Sequence, residues 1–106
     1  MEFVETSLFT RIAGQYLSDE ELARLQAYIT KRPDAGAVIK GSGGLRKLRW
    51  NAGGKGKRGG ARIIYYWLVR DDQIFLLTIY GKNEMSDLTR AEVEALSRIV
   101  MRWKDA

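Results

Sequence analysis

Cationic side chains are concentrated in one third of this chain, and no acid is present there to neutralise them. Residues 35–70 contain no Asp or Glu, although the sequence has 13 acids elsewhere. Half of the chain's 18 cations lie in this segment: Lys40, Arg46, Lys47, Arg49, Lys55, Lys57, Arg58, Arg62 and Arg70. Because like charges repel unless a ligand supplies the opposite charge, the segment predicts a polyanionic partner, most naturally a phosphate backbone.

The missing residue types restrict the chemistry further. The 106 residues include no His and no Cys. Thiolate catalysis and disulfides are therefore excluded, and the usual side chain for proton transfer or zinc binding is absent. Any chemistry must therefore use Lys, Arg, Tyr, Asp or Glu.

A glycine pattern inside the basic segment does not predict a nucleotide site. Residues 54–59, GKGKRG, match G-x-G-x-x-G, but the residues that follow form a strand where the dinucleotide fingerprint needs a helix. Neither Lys55 nor Lys57 is followed by Ser or Thr, which excludes a P-loop. The pattern indicates a hairpin loop, which is either a solvated loop with lysines for solubility or a loop that binds phosphates.

The hydrophobic pattern predicts the elements that must position these cations. Capping boxes begin helices at Ser18, with Glu21, and at Thr89, with Glu92. The predicted elements are a short strand at 3–5, a helix at 7–17, a second helix at 18–33, strands at 45–50, 61–69 and 73–80, and a last helix from residue 89. The chain therefore reads as one α+β domain over 1–106, with an N-terminal helical hairpin, a three- to four-stranded antiparallel sheet and a C-terminal helix.

Strand alternation predicts which side chains share a face of that sheet. Lys47 and Arg49 lie two residues apart on one strand, and Arg62 lies on its neighbour, so we expect them on one face. Tyr66 and Tyr80 share the parity of Arg62, and each can stack a base, donate a proton or fill space. We expect the opposite parity to be core; it holds Ile63, Tyr65 and Trp67, with Phe75, Leu77 and Ile79 on the partner strand.

Four stretches together resemble the RelE/ParE superfamily of bacterial toxin–antitoxin toxins, most closely its HigB-type branch: GGLRKLRW, GGKGKRGG, ARIIYYW and LLTIYGKNEMSDLT. The resemblance covers nearly the whole chain. It implies a RelE-like fold with a positively charged cleft, and a toxin that cleaves translated mRNA in the ribosomal A site. For that activity RNA carries its own nucleophile, the 2′-hydroxyl, so cleavage needs in-line positioning, proton transfer and stabilisation of a dianion, and no metal or other cofactor. Clustered Lys and Arg can stabilise that dianion, and a lysine crowded by other cations can act as a general base. It further implies a cognate antitoxin, which in HigB-like pairs is a HigA-type helix-turn-helix protein.

The resemblance also assigns site residues. Lys47 and Arg49 match paired basic positions before the loop, Arg62 matches an arginine that contacts the scissile phosphate, and Lys82 matches a basic residue after the final strand. With Tyr80 these are the predicted catalytic residues. The predicted RNA or ribosome contacts are Arg46, Lys55, Lys57, Arg58, Tyr66 and Asn83.

Two positions depart from the family pattern. Asn83 stands where RelE toxins typically have an arginine, and Thr89 lies near the position of a tyrosine acid. The proton donor must then be Tyr80, Tyr66 or Lys82. Glu84, in the same turn, is either a base or, more simply, a cap for the following segment.

Three functions remain open from the sequence. The first is a ribosome-dependent endoribonuclease, which the basic residues Lys47, Arg49 and Arg62 favour. The second is a ParE-like poison of DNA gyrase, since fold alone does not fix function. The third is an RNA-binding module that cuts nothing. The start, MEFVETSLF, has no long apolar run, which predicts a cytoplasmic protein without a signal peptide or membrane contact.

Overall fold

A five-stranded sheet forms the centre of the protein, seen here in a computed structural model that describes residues 1–51, 60–82, 84 and 87–105. The strand order is β1-β5-β4-β3-β2. The strands are β1 (Glu2–Glu5), β2 (Ala37–Val38), β3 (Arg46–Trp50), β4 (Ala61–Leu68) and β5 (Gln73–Gly81). The helices are α1 (Ser7–Ile12), continued by a 3-10 segment (Ala13–Gln15), α2 (Asp19–Lys31) and α3 (Arg90–Lys104).

The α+β class is confirmed, and the sheet is larger than the predicted three or four strands. Strands β2 to β5 pair antiparallel, whereas β1 pairs with β5 in parallel, with Phe3 opposite Ile74. The sequence predicted a strand at 3–5, but a four-residue pattern does not report the direction in which β1 pairs. With two residues, β2 is too short for any period to reveal it. The direction of β1 depends on a partner about 70 positions away along the chain.

Helices cover both faces of the sheet, so the protein has two hydrophobic clusters. On one face α1 contributes Phe9, and α2 contributes Leu25 and Ile29, which pack with Ile63 and Tyr65. On the other face α3 contributes Leu96 and Val100, which pack against residues of β4 and β5 such as Ile64 and Leu77. The strong apolar character of β4 follows from burial on both faces.

Side chains close the start of each helix as the sequence predicts. The Ser18 hydroxyl accepts from the Glu21 amide at 3.1 Å, and the Glu21 carboxylate accepts from the Ser18 amide at 2.8 Å. Thr89 and Glu92 form the same pair of bonds at 3.1 and 2.7 Å. Two orphan amides are thereby satisfied at each start, which fixes where α2 and α3 begin.

A β-bulge in β5 corrects one predicted face. Ile64 lies opposite Thr78, but Tyr65 lies opposite Leu76, so Leu77 is an extra residue on β5. The prediction that Phe75 and Leu77 share a face with Ile63 and Tyr65 was wrong, because both pack in the α3 cluster. Ile79 lies beyond the bulge and does share the face of Ile63. Strict alternation fails where one strand has an extra residue.

No helix formed by the described residues is long and apolar enough to cross a membrane.

We expect Thr89→Ala to lower the free energy of unfolding by about 1 kcal/mol, since the amide at the start of α3 loses its acceptor. Equilibrium unfolding in urea measures this change. The matched control is Thr30→Ala: the Thr30 hydroxyl only donates to the Gln26 carbonyl within α2 at 2.8 Å, so its loss should shift stability by less than about 0.5 kcal/mol. Equal stabilities of the two variants would contradict the role of the Thr89 cap.

Candidate nucleic-acid interface

The register of β3, β4 and β5 aligns three of the predicted catalytic residues across the sheet. Arg49 lies directly opposite Arg62, and Arg62 lies directly opposite Tyr80. In the neighbouring row Lys47 lies opposite Ile64, which faces α3. Adjacent strands are about 4.8 Å apart, so these side chains emerge from one small area. We call Lys47, Arg49 and Arg62 the basic cluster; it lies on the α3 face of the sheet.

Burial differs sharply within the basic cluster. Arg49 is exposed and Lys47 is half-buried, whereas Arg62 is only 8% exposed. The cluster therefore offers one fixed guanidinium at its inner end and two more accessible cations at its edge. A phosphate that entered from solvent would meet Lys47 and Arg49 first. Because Arg62 is largely buried, water would screen the interaction between Arg62 and that phosphate less.

The carboxylate of Asp87 reaches the basic cluster, and the sequence analysis missed it. The Asp87 carboxylate lies 3.4 Å from the Lys47 ammonium, and the same oxygen accepts from the Leu88 amide at 2.9 Å. Asp87 lies just before the cap of α3, outside the acid-free segment of the chain. Finding it would have required knowing that α3 starts over this face. Because Asp87 is exposed, the ion pair is weak and a phosphate can replace it.

Tyr80 has a buried hydroxyl next to Arg62. The side chain is 4% exposed, and its hydroxyl has no hydrogen-bond partner among the described residues. Burial raises the pKa of Tyr80, and the carboxylate of Asp87 raises it further while Arg62 opposes the shift. The phenol is therefore protonated at neutral pH and holds a proton that the described residues do not accept. A buried donor of this kind is a cost in stability, which makes it a candidate for a chemical role.

The turn after β5 places Lys82 beside the start of β4. Lys82 is exposed, and its amide donates to the Gly60 carbonyl at 3.4 Å. Gly60 has a φ of +63°, and a Cβ there would lie 2.3 Å from the Trp50 carbonyl oxygen. Only glycine fits this position, which lies two residues before Arg62. The close approach of residue 60 to the Trp50 backbone therefore depends on the glycine.

Glu84 acts within the turn as an acceptor of hydrogen bonds. Its Oε1 accepts from the Gly81 amide at 2.8 Å and from the Tyr16 hydroxyl. The bond from Tyr16 lowers the pKa of Glu84, which makes the carboxylate a weaker base. These contacts favour the structural interpretation of Glu84 over the catalytic one.

Two predicted RNA contacts lie away from the basic cluster. Arg46 is on the opposite face, opposite Tyr65, where its Nη1 donates to the carbonyls of Asp34 at 3.2 Å and Gly36 at 2.8 Å. Tyr66 shares the face of Arg62 but lies four residues further along β4, roughly 13 Å away. Its ring packs on Phe75, and the Lys104 ammonium is 5.4 Å from its centroid. Lys55, Lys57, Arg58 and Asn83, the other predicted contacts, lie outside the described residues.

Comparison with known proteins finds one matching family model and solved structures with a similar fold. A family model described as "RelE toxin of RelE / RelB toxin-antitoxin system" matches residues 1–106. The intact E. coli RelBE toxin–antitoxin complex contains a similar chain, with a TM-score of 0.56 and 13% identity over 76% of this chain and 94% of that one. An arginine-to-alanine double mutant of E. coli toxin RelE in the free state is similar as well, with a TM-score of 0.54 and 14% identity over 95% of each chain. At these identities the solved structures support the fold alone.

We expect Asp87→Asn to strengthen binding of a single-stranded RNA oligonucleotide by about two- to fivefold, because Lys47 loses a competing carboxylate. The asparagine oxygen can still accept from the Leu88 amide, so the start of α3 should be unchanged. Fluorescence anisotropy at low salt measures the affinity. The control is Glu94→Gln, an equal charge change at an exposed position of α3; equal effects of the two variants would show that net charge, not the Lys47 pair, is responsible.

Proposed function

The chain belongs to the RelE toxin family of toxin–antitoxin systems, and on that premise we propose that it is an endoribonuclease that cleaves translated mRNA on the ribosome and so inhibits translation. The observation that carries the proposal is the row formed by Arg49, Arg62 and Tyr80 across three strands. This row brings two guanidinium groups and a protonated phenol together on one face of the sheet. The narrower likeness to the HigB-type branch stays a prediction.

The reaction is an intramolecular transfer of the phosphoryl group. The RNA 2′-oxygen attacks the adjacent phosphorus, the bond between phosphorus and the 5′-oxygen breaks, and the products are a 2′,3′-cyclic phosphate and a free 5′-hydroxyl. The 2′-hydroxyl gives up one proton and the leaving 5′-oxygen takes one, so atoms and charge balance. The protein supplies position, charge and proton transfer.

In the proposed reaction the residues of the site have different tasks. Arg62 is fixed by burial and stabilises the charge that develops on the non-bridging oxygens, while Lys47 and Arg49 draw the backbone towards it. Tyr80 is the favoured acid for the leaving oxygen, because its raised pKa keeps the proton on the phenol until an acceptor arrives. Lys82, which is exposed two residues beyond Tyr80, is the alternative donor.

The proposed partners follow from the family and the charge. A solved RelBE complex shows a toxin of this fold together with its antitoxin, and we propose that an antitoxin likewise silences this chain. That the antitoxin is a HigA-type helix-turn-helix protein stays a prediction, which the neighbouring reading frame can test. The ribosome and its mRNA are the proposed targets, which places the activity in the cytoplasm.

We expect Arg62→Ala to lower the rate of mRNA cleavage on purified translating ribosomes by about 100-fold or more, the usual effect of removing one preorganised charge donor. Co-sedimentation with 70S ribosomes should change little. Mapping of 5′ ends measures cleavage. Arg62→Lys keeps the charge and should retain intermediate activity, while thermal melts of both variants show that the fold persists. Arg24→Ala, on exposed α2, is the control.

Other outcomes of the same experiment identify the competing functions. Intact mRNA with arrested DNA synthesis would indicate a gyrase poison. Ribosome binding by the wild type without any cut, weakened in a graded way by Arg62→Ala, would indicate a binding module. Either result would refute the nuclease.

We expect Tyr80→Phe to move stability and activity in opposite directions. Removing a buried donor without a partner should raise the free energy of unfolding by about 1 kcal/mol, while loss of the acid should lower kcat with KM unchanged. Tyr65→Phe is the matched contrast on β4: its hydroxyl accepts from the Gly36 amide at 2.9 Å and donates to the Pro33 carbonyl at 2.7 Å, so its loss should destabilise. Unchanged kcat in Tyr80→Phe would assign the acid role elsewhere.

A further inference from the structure

A hydrogen bond joins the turn after β5 to the helical layer on the opposite face of the sheet from the basic cluster. Tyr16 follows the 3-10 segment, and its hydroxyl donates to Glu84, 68 positions away along the chain. The same Glu84 oxygen accepts from the Gly81 amide at 2.8 Å, and the Glu84 amide donates to the Gly81 carbonyl at 3.0 Å. One carboxylate thus closes the turn and ties it to Tyr16. We call these contacts of Tyr16, Glu84 and Gly81 the latch.

Both side chains of the latch have the protonation state that the bond needs at neutral pH. Burial, followed by the hydrogen bond to Glu84, raises the pKa of Tyr16 to about 12. The bond from Tyr16 lowers the pKa of Glu84. The phenol therefore remains a donor and the carboxylate an acceptor, and a charged acceptor makes the bond stronger than one between neutral groups.

Packing at Gly81 shows that the turn sits directly against Tyr16. A Cβ at Gly81 would lie 3.2 Å from Glu84 Oε1 and 3.4 Å from a ring carbon of Tyr16. Tyr16, Glu84 and Tyr80 also line one cleft of about 350 Å³. The latch and the proposed proton donor are therefore neighbours.

The latch fixes the segment that carries Lys82. Gly81 lies opposite Ala61, the residue before Arg62, and the Lys82 amide reaches the Gly60 carbonyl. Movement of Gly81 or Glu84 would therefore displace Lys82 relative to Arg62. Tyr16 itself lies in the helical layer on the other face, so it acts on the basic cluster through the turn, by its hydrogen bond to Glu84 and its packing against Gly81.

We propose that Tyr16 is a positioning residue, which acts through Glu84 to hold Gly81 and Lys82 in place, so that Lys82 stays aligned with Arg62 at the scissile phosphate. This inference rests on the proposed nuclease function for its catalytic part. Its structural part, that the Tyr16 hydroxyl orders the turn, is independent of that function.

The test removes the hydroxyl and keeps the ring. In Tyr16→Phe we expect the Gly81 and Glu84 amides to exchange with deuterium on the order of fivefold faster, the effect of losing one hydrogen bond. We expect kcat for cleavage on translating ribosomes to fall about tenfold or more, because small misplacements of reacting groups have large effects. The KM for ribosomes should stay within about twofold, because Tyr16 lies in the helical layer on the other face from the basic cluster.

Two further variants separate positioning from charge. Glu84→Gln keeps an acceptor oxygen and should retain slow exchange and most of kcat. Glu84→Ala also removes the acceptor of the Gly81 amide, so its effect should be at least that of Tyr16→Phe. The double variant with Tyr16→Phe and Glu84→Ala should be no worse than Glu84→Ala alone, since Glu84→Ala already removes the bond from Tyr16. Tyr28→Phe removes an exposed tyrosine hydroxyl on α2 and is the matched control.

The outcomes distinguish this inference from the proposed function. Exchange at Gly81 in Tyr16→Phe that equals the Tyr28→Phe control would overturn the latch. Faster exchange with unchanged kcat would overturn the positioning role while the nuclease stands. If the wild type cuts no mRNA, the proposed function fails, and with it the catalytic part, while the exchange data still decide whether the latch orders the turn.

Discussion

The pairing register of β3 with β4 and β5 is the constraint on which the site depends. This register puts Arg49 opposite Arg62, a like-charge pair that disfavours the sheet. On the other face the same register stacks Leu48, Ile63 and Ile79 across three strands, beneath α1 and α2. A slip by one residue would exchange the two sets and bury the cations in the apolar cluster. Packing of the hydrophobic face therefore stabilises a register in which two cations lie opposite each other on the other face.

The bulge at Leu77 completes this arrangement. Before the bulge Tyr65 lies opposite Leu76, and continuing that register would set Ile79 opposite Arg62 and turn Tyr80 towards α1 and α2. One extra residue on β5 instead sets Tyr80 opposite Arg62. Bulges near functional sites commonly redirect a side chain in this way. The bulge also lets Phe75 and Leu77 fill the space under α3, so the same irregularity serves both the packing and the site.

The sequence predicted what depends on neighbours along the chain and missed what depends on neighbours in space. Both capping boxes, the long strands and the shared face of Lys47, Arg49 and Arg62 follow from short-range spacing and were correct. The parallel pairing of β1 and the approach of Asp87 to Lys47 join residues 40 or more positions apart, and no local period reports them.

Arg46 shows the same limit from another side. Its charge made it look like its neighbours Lys47 and Arg49, yet alternation turns it to the opposite face. There its guanidinium holds two carbonyls of the connection between α2 and β2. Arg46 and Lys47 are adjacent in the chain, yet alternation turns Arg46 towards a loop and Lys47 towards the face that carries Arg62.

Asp87 and Tyr80 show how the edge and the interior of the basic cluster differ. Asp87 partly neutralises the outer edge, and because it is exposed its ion pair with Lys47 is weak. Further in, the buried phenol of Tyr80 has no acceptor among the described residues. In the proposed function a phosphate would therefore meet weak competition at the edge, and the phenol would keep its proton for the leaving oxygen.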